Sequence, residues 1–296
     1  MALTHLDRLE AESIAILRET VAVCRRPVMM YSVGKDSSVM LALARKAFAP
    51  GPLPFPLLHI ATGWDFAAVI AHRDAVVAAN GAELIVRSGA EKLSPFTSGI
   101  ESYSRAMLIE PLRAALEEGG YDAAIGGGRR DEEKSRAKER IFSFRGRGGG
   151  WDPRHQRPEP WNLLNGRLHE GESLRVFPLS NWTERDVWDY AAREKVPLVP
   201  LYYADVRPTV ERDGLLLMVD DPAAIELRPG EEIVQRRVRF RTMGCWPLTG
   251  AHDSDAATIE QVVAEVAAAR SSERAGRAVD GEASASMEAK KKEGYF

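Results

Sequence analysis

Cysteine is scarce in this chain. Only Cys24 and Cys245 occur among 296 residues, far apart and without a CxxC pair. Two thiols cannot supply a four-cysteine zinc or iron–sulfur site within one chain. Low cysteine usage is typical of proteins in a reducing compartment, so the sequence predicts a cytoplasmic protein.

Long apolar runs are also missing. No run approaches the roughly 20 apolar residues that span a bilayer, and the first residues show no basic-then-apolar signal pattern. The 40 Lys and Arg residues nearly balance the 43 Asp and Glu residues, for a net charge of −3. A general nucleic-acid surface is therefore not indicated. We expect neither a membrane nor a nucleic acid as partner.

A Walker A loop is absent, although a Gly-Lys pair follows a short apolar run. Met29 stands where that loop needs its first glycine, and Asp36 stands where it needs Ser or Thr. The residues present are Tyr31-Ser32-Val33-Gly34-Lys35-Asp36-Ser37-Ser38, followed by a helical pattern.

A strand, turn and helix of this kind direct backbone N–H groups and a helix dipole at one point, which suits a phosphate. Lys35 adds a cation, and the serines add hydroxyl donors. The alternative is an ordinary helix N-terminus with Ser or Asp capping. The candidate phosphate-binding residues are Ser32, Val33, Gly34, Lys35, Asp36, Ser37 and Ser38.

Strand and helix patterns alternate through most of the chain. Strands are predicted at 27–32, 57–61, 83–86, 123–125 and 175–179, and helices at 5–24, 35–48, 65–79, 104–118, from 183 and at 256–270. This alternation predicts an α/β fold with a doubly wound, mostly parallel sheet and helices on both faces. Ligands of such sheets lie at the carboxyl ends of the strands. Thr62, Gly63 and the glycines at 126–128 follow predicted strands and are expected there.

The composition changes toward the C-terminus. Residues 145–172 are rich in Gly, Arg and Pro and predict a long loop, and residues 231–250 are basic. We expect a nucleotide-binding catalytic domain over 1–230 and a C-terminal extension over 231–296. By composition, residues 271–296 predict a frayed tail.

A second charged segment follows the strand predicted at 123–125. Gly127 and Gly128 precede Arg129 and Arg130, and mixed charges continue to residue 140. Mixed charges alone favour a solvated helix with (i, i+4) ion pairs. The glycines instead indicate a backbone that approaches a ligand closely. Adjacent arginines can hold phosphate or sulfate in bidentate fashion.

Together these motifs resemble the small, catalytic subunit of the heterodimeric bacterial sulfate adenylyltransferase, within the PP-loop and PAPS reductase-like superfamily. The resemblance covers nearly the whole chain and is carried by residues 3–6, 31–38, 62–64, 127–140, 177–183, 240–250 and 290–296. It implies an adenine nucleotide α-hydrolase-like fold. It also implies transfer of the adenylyl group of ATP to sulfate, which gives adenosine 5′-phosphosulfate and pyrophosphate.

The resemblance also implies roles for residues. Lys35, Arg129 and Arg130 are the expected catalytic residues, and Thr62, Gly63, Gly127 and Gly128 join the turn at 32–38 in binding the nucleotide. ATP would come with Mg²⁺ bridging its phosphates. In this family a separate GTPase subunit drives the uphill reaction, and this chain, lacking a Walker A loop, would need that partner in trans.

Some positions depart from this family. Ala61 replaces the usual Asp before Thr-Gly-Trp, and Tyr103, Ser104 and Leu108 stand where the family tends to carry His, Thr and Lys. These changes leave open a paralogue that adenylylates another nucleophile, or a non-enzymatic nucleotide-binding subunit. A PAPS or APS reductase is disfavoured because no catalytic Cys motif lies near the C-terminus.

Overall fold

A computed structural model of the chain describes residues 3–89, 93–132, 136–147 and 149–269. The predicted tail at 271–296 lies outside the described residues. The helices are α1 His5–Val23, α2 Lys35–Phe48, α3 Ala67–Asn80, α4 Ile100–Ser104, α5 Glu110–Glu118, α6 Glu184–Glu194 and α7 Ile259–Ala268. The strands are β1 Pro27–Met30, β2 Leu57–Ala61, β3 Leu84–Ser88, β4 Ala123–Ile125, β5 Phe142–Arg145, β6 Ser173–Val176, β7 Asp205–Arg212, β8 Leu215–Met218, β9 Val234–Arg239 and β10 Gly250–Asp253.

Strands β1 to β6 form one sheet in the order β3-β2-β1-β4-β6-β5. The neighbouring pairs are parallel except β5 and β6, which are antiparallel. The strand order reverses direction between β1 and β4. The crevice beyond the carboxyl ends of these two strands is therefore the expected ligand site of this kind of sheet.

Both faces of the sheet are covered by helices, which explains why its central strands are apolar on both sides. Met29, Leu57 and Ile125 face a core shared with α1, α2 and α6. Val28, Leu58 and Ala124 face α5 through a second apolar cluster. The predicted doubly wound, mostly parallel α/β fold is confirmed. No helix in the described ranges is both long enough and apolar enough to cross a bilayer.

The helix predicted at 104–118 is not regular throughout. A π-helical turn, Arg105–Ile109, separates α4 from α5. Pro111 lies in the first turn of α5 and has no backbone N–H. It cannot donate to the carbonyl of Met107, so the regular pattern of bonds is interrupted at this point.

The outer edge of β5 is satisfied by side chains instead of another strand. Gln156 accepts a hydrogen bond from the Phe144 backbone nitrogen at 2.9 Å and donates one to the Phe144 carbonyl at 3.0 Å. Glu159 accepts from the nitrogens of Ile141 and Phe142 at 3.0 and 2.8 Å. The loop predicted at 145–172 is thus fixed against the sheet at these two residues.

Strands β7 to β10 form a closed antiparallel barrel in the order β10-β8-β7-β9. These strands are not evident from the sequence pattern, because β7 and β9 carry several charged residues. The division predicted at residue 230 falls between β8 and β9, so this barrel takes strands from both sides of it. The predicted domain boundary at residue 230 stays a prediction.

Candidate active site

The turn at 31–34 connects β1 to α2 at the point where the strand order reverses. Val33 has φ of 64°, in the left-handed region, although it is β-branched and fully buried. Such a residue costs about 1–3 kcal/mol of strain and persists only where its surroundings hold it. Gly34 is the N-cap of α2 and provides no side-chain cap. The first amide of α2 must therefore find its acceptor outside the turn.

Lys35, Asp36 and Arg129 form one ionic cluster at the start of α2, in which the two cations are buried and the Asp36 side chain is 25% exposed. Lys35 Nζ donates to Asp36 Oδ2 at 3.1 Å, and Arg129 Nε donates to Asp36 Oδ1 at 2.7 Å. Lys35 and Arg129 are 2% and 1% exposed. Burial opposes the charge of Asp36, but the two cations outweigh it and hold the pKa of this carboxyl at about 2. The structure thus brings together two of the three predicted catalytic residues.

Gly127 and Gly128 allow the loop after β4 to approach α2 and the following arginines. A Cβ at Gly127 would lie 3.1 Å from Asp36 Cβ. One at Gly128 would lie 3.1 Å from the Phe177 ring and in collision with Arg136. The space at both glycines is limited by protein atoms of α2 and of the segment after β6. The predicted close approach of this backbone to a ligand stays a prediction.

The hydroxyl groups of the turn make mostly local bonds. Ser37 Oγ donates to the Gly34 carbonyl at 3.0 Å, and Ser32 Oγ lies 3.4 Å from Ser37 Oγ. Ser32 is exposed, whereas Ser37 and Ser38 are buried. Ser32 is therefore the hydroxyl of this turn that faces solvent.

The turn after β2 forms the neighbouring wall of the crevice. Gly63 has φ of 75° and buried Thr62 accepts from the Trp64 nitrogen at 3.1 Å. Asp65 Oδ2 accepts from the Thr62 nitrogen at 2.9 Å. A carboxylate is thus present four residues after Ala61, where it closes this turn.

Arg130 makes its hydrogen bonds to Glu139 and to the segment after β6. It donates from Nε and Nη2 to the Glu139 carbonyl at 3.3 and 3.2 Å, and from Nη1 to Asn181. Its backbone nitrogen bonds the Ser180 carbonyl at 3.0 Å. These bonds tie the loop to the segment after β6. A catalytic role for Arg130 stays a prediction.

Tyr202 belongs to this site although no sequence motif points to it. Its Oη accepts a hydrogen bond from the Lys35 backbone nitrogen at 2.8 Å. It comes from the short helical segment Pro200–Tyr202, well beyond the sheet in sequence. No local pattern reveals such a contact.

The positions that depart from the family lie beside the turn after β2. Tyr103 is fully buried and donates to Cys245 Sγ at 3.4 Å. Cys245 Sγ in turn lies 3.5 Å from Thr62 Oγ1. Ala61 and Leu108 are half-buried. Tyr103 therefore fills space behind Thr62 in an apolar cluster.

Both cysteines are buried, and neither is in a disulfide. Burial raises the pKa of Cys24 to about 12. A thiol of this kind is a poor nucleophile, since the thiolate is the reactive form.

The family model described as "Phosphoadenosine phosphosulfate reductase domain" matches residues 26–251. This range contains the whole sheet and strands β7 to β9 of the barrel, and it ends within β10. Among solved structures, the phosphoadenylyl-sulfate (PAPS) reductase from Candida auris, in a phosphate complex, has a TM-score of 0.48 and 19% identity. The match covers 68% of this chain and 92% of that chain.

Two curated relatives match almost from end to end. "Sulfate adenylyltransferase subunit 2" of Myxococcus xanthus is 60% identical over 99% of this chain and 97% of that protein. The protein of the same name from Azospirillum brasilense is 60% identical over 98% of each. The chain belongs to the sulfate adenylyltransferase subunit 2 family, so the resemblance seen in the sequence is confirmed.

Proposed function

We propose that this chain is the nucleotidyltransferase that transfers the adenylyl group of ATP to sulfate, giving adenosine 5′-phosphosulfate and pyrophosphate, in sulfate assimilation. The observation that carries the proposal is the turn at 31–38 with its ionic cluster of Lys35, Asp36 and Arg129, placed where the strand order reverses. Identity of 60% to proteins named for this activity supports it.

In this proposal the turn holds the leaving pyrophosphate. We assign this role to the positive end of the α2 dipole and to the amides after Lys35, because the Lys35 amide itself donates to Tyr202 Oη. Lys35 contributes a cation whose position is fixed by Asp36. Sulfate is a weak nucleophile, so positioning and charge neutralisation must supply most of the rate enhancement.

Arg129 is proposed to stabilise charge at the α-phosphate or on the incoming sulfate. Its bond to Asp36 and its complete burial fix the guanidinium in one orientation. A preorganised donor in a buried site costs little reorganisation during the reaction. Thr62, Gly63, Gly127 and Gly128 are proposed to shape the walls around the nucleotide.

Mg²⁺ is proposed to arrive with ATP. Among the described residues, no group of three or more His, Cys, Asp or Glu side chains could hold a metal ion. Asp36 is the carboxylate within the turn at 31–38, and both of its oxygens already accept bonds from cations. This fits an ion that is held mainly by substrate phosphates and neutralises their charge.

The partner is proposed to be a GTPase regulatory subunit, and the location the cytoplasm. The name "subunit 2" of the relatives implies a further subunit. The product anhydride is high in energy, so a coupled hydrolysis would favour its formation. The GTPase identity rests on the resemblance of the sequence.

The test is sulfate-dependent release of pyrophosphate from Mg-ATP, with the product identified by mass. We expect adenosine 5′-phosphosulfate, in larger yield when the cognate GTPase subunit and GTP are present. ATP binding without any sulfate-dependent product would contradict the reaction. A yield that does not respond to the GTPase subunit would contradict only the partner.

A further inference from the structure

The first amide of α2 is capped from a distant part of the chain. Gly34, the N-cap residue, has no side chain that could accept a hydrogen bond. The Lys35 nitrogen instead donates to Tyr202 Oη at 2.8 Å. Helix N-termini are usually capped by Ser, Thr, Asp or Asn at the N-cap itself. A tyrosine that reaches this amide from elsewhere in the fold is an unusual cap.

The position of this hydroxyl is fixed by packing. Tyr202 is 1% exposed, and its ring meets Trp188 edge to face at 5.3 Å between centroids. Its backbone nitrogen bonds the Val199 carbonyl at 3.0 Å, and the Leu201 carbonyl accepts from Phe240 at 2.9 Å. Tyr202 is thus anchored to α6 on one side and to the end of β9 on the other.

The bond reaches the turn two residues after strained Val33, whose φ is 64°. Strained backbone of this kind needs contacts that over-determine it. The tyrosine hydroxyl also carries no charge at neutral pH. Unlike an Asp cap, it adds no negative charge to the first turn of α2, which already contains Asp36.

We propose that Tyr202 is a positioning residue that holds the turn at 31–35 in its phosphate-binding shape, and so tightens binding of the pyrophosphate end of ATP. The proposal deepens the proposed function and rests on it. Tyr202 acts through the Lys35 backbone, so its loss is felt in nucleotide binding and not in sulfate binding.

The test is Tyr202→Phe, which removes one oxygen and keeps the ring that packs on Trp188. We expect the KM for ATP to rise roughly tenfold, because the buried Lys35 amide loses its acceptor. The KM for sulfate should stay unchanged. Calorimetry should show Mg-ATP binding weakened by a similar factor.

Tyr190→Phe is the matched control. Tyr190 is also fully buried and meets Trp182 edge to face at 5.1 Å. It lies near Lys46 at the far end of α2. We expect it to leave ATP binding unchanged.

Equal Mg-ATP affinity of wild type and Tyr202→Phe would overturn the proposal. Equal losses of Mg-ATP affinity in Tyr202→Phe and Tyr190→Phe would also overturn it. The calorimetric result does not depend on the reaction product. Wild type that binds Mg-ATP but makes no adenosine 5′-phosphosulfate would overturn the proposed function alone.

Discussion

The parallel sheet and the barrel are held together by different interactions. Strands β1 and β4 are buried and apolar on both faces. The barrel strands also contribute to the apolar core, but they add paired charges, among them Arg212 with Glu231 at 2.6 Å and Arg239 with Glu265 at 2.6 Å. Hydrophobic burial therefore supports the first region, and specific charge-assisted bonds contribute to the second.

The two regions also divide the work at the site. The sheet supplies the turn and the Lys35, Asp36 and Arg129 cluster. The region around the barrel supplies contacts that fix the neighbouring loops. Asp220 caps the nitrogen of Ala67 at 2.8 Å, and the Trp246 nitrogen bonds the Trp64 carbonyl at 3.0 Å. Changes in the sheet turn should thus alter activity, and changes in the barrel should alter stability.

The largest effect is expected from Lys35→Ala. It removes a cation fixed beside the proposed pyrophosphate, and kcat/KM should fall by about 10²- to 10³-fold. The measurement is pyrophosphate release, with circular dichroism as a check that the protein is folded. Lys46→Ala is the control, since Lys46 lies at the other end of α2 and pairs with Glu10 and Glu194 at the surface. Full activity of Lys35→Ala would remove the basis for the site.

Glu265→Gln should lower stability and leave activity unchanged, in contrast to Lys35→Ala. Glu265 accepts from Arg239, Ser254 and His252, and its replacement should lower the free energy of unfolding by about 1–2 kcal/mol. The kcat/KM should be unchanged. Urea unfolding at neutral pH is the measurement, with Glu260→Gln, exposed on the same helix, as the control.

The pH dependence of this effect follows from the pKa of Glu265. Burial opposes its charge, but bonds from Arg239, Ser254 and His252 outweigh burial and lower the pKa from 4.5 to about 2. A lowered pKa contributes stability above the unfolded value that is lost as pH falls through the folded value. The difference between wild type and Glu265→Gln should therefore shrink between pH 4.5 and 2. A constant difference over this range would contradict the assignment.

The smallest effect is expected from Asp220→Ala. The Asp220 carboxylate connects the region around the barrel to the first turn of α3. The substitution removes the cap of α3, whose own N-cap residue Phe66 makes no side-chain bond. We expect a loss of about 1 kcal/mol, the usual value for an N-cap, with a small rise in the KM for ATP. Asp221→Ala is the control, since the Asp221 carboxylate accepts from Ala223 within its own turn. Identical thermal unfolding of the two variants would show that the cap contributes nothing.

The parallel strands of the sheet were predictable because strands that are buried on both faces consist almost wholly of apolar residues. The strand predicted at 57–61 is β2 with the same bounds. β9 was missed because its segment, Val-Gln-Arg-Arg-Val-Arg, has the composition of a solvated surface until partners such as Glu265 are known. In the site, Lys35, Asp36 and Arg129 were readable from local motifs. Tyr202 was not, since it meets Lys35 across 167 positions of sequence.

The side chains that cover the outer edge of β5 affect how this protein associates with other chains. An uncovered edge strand is a template on which a second chain can add a strand, and so a starting point for aggregation. Gln156 and Glu159 take the places that such a strand would occupy. Shortening the loop that carries them should expose this edge and favour self-association of the protein.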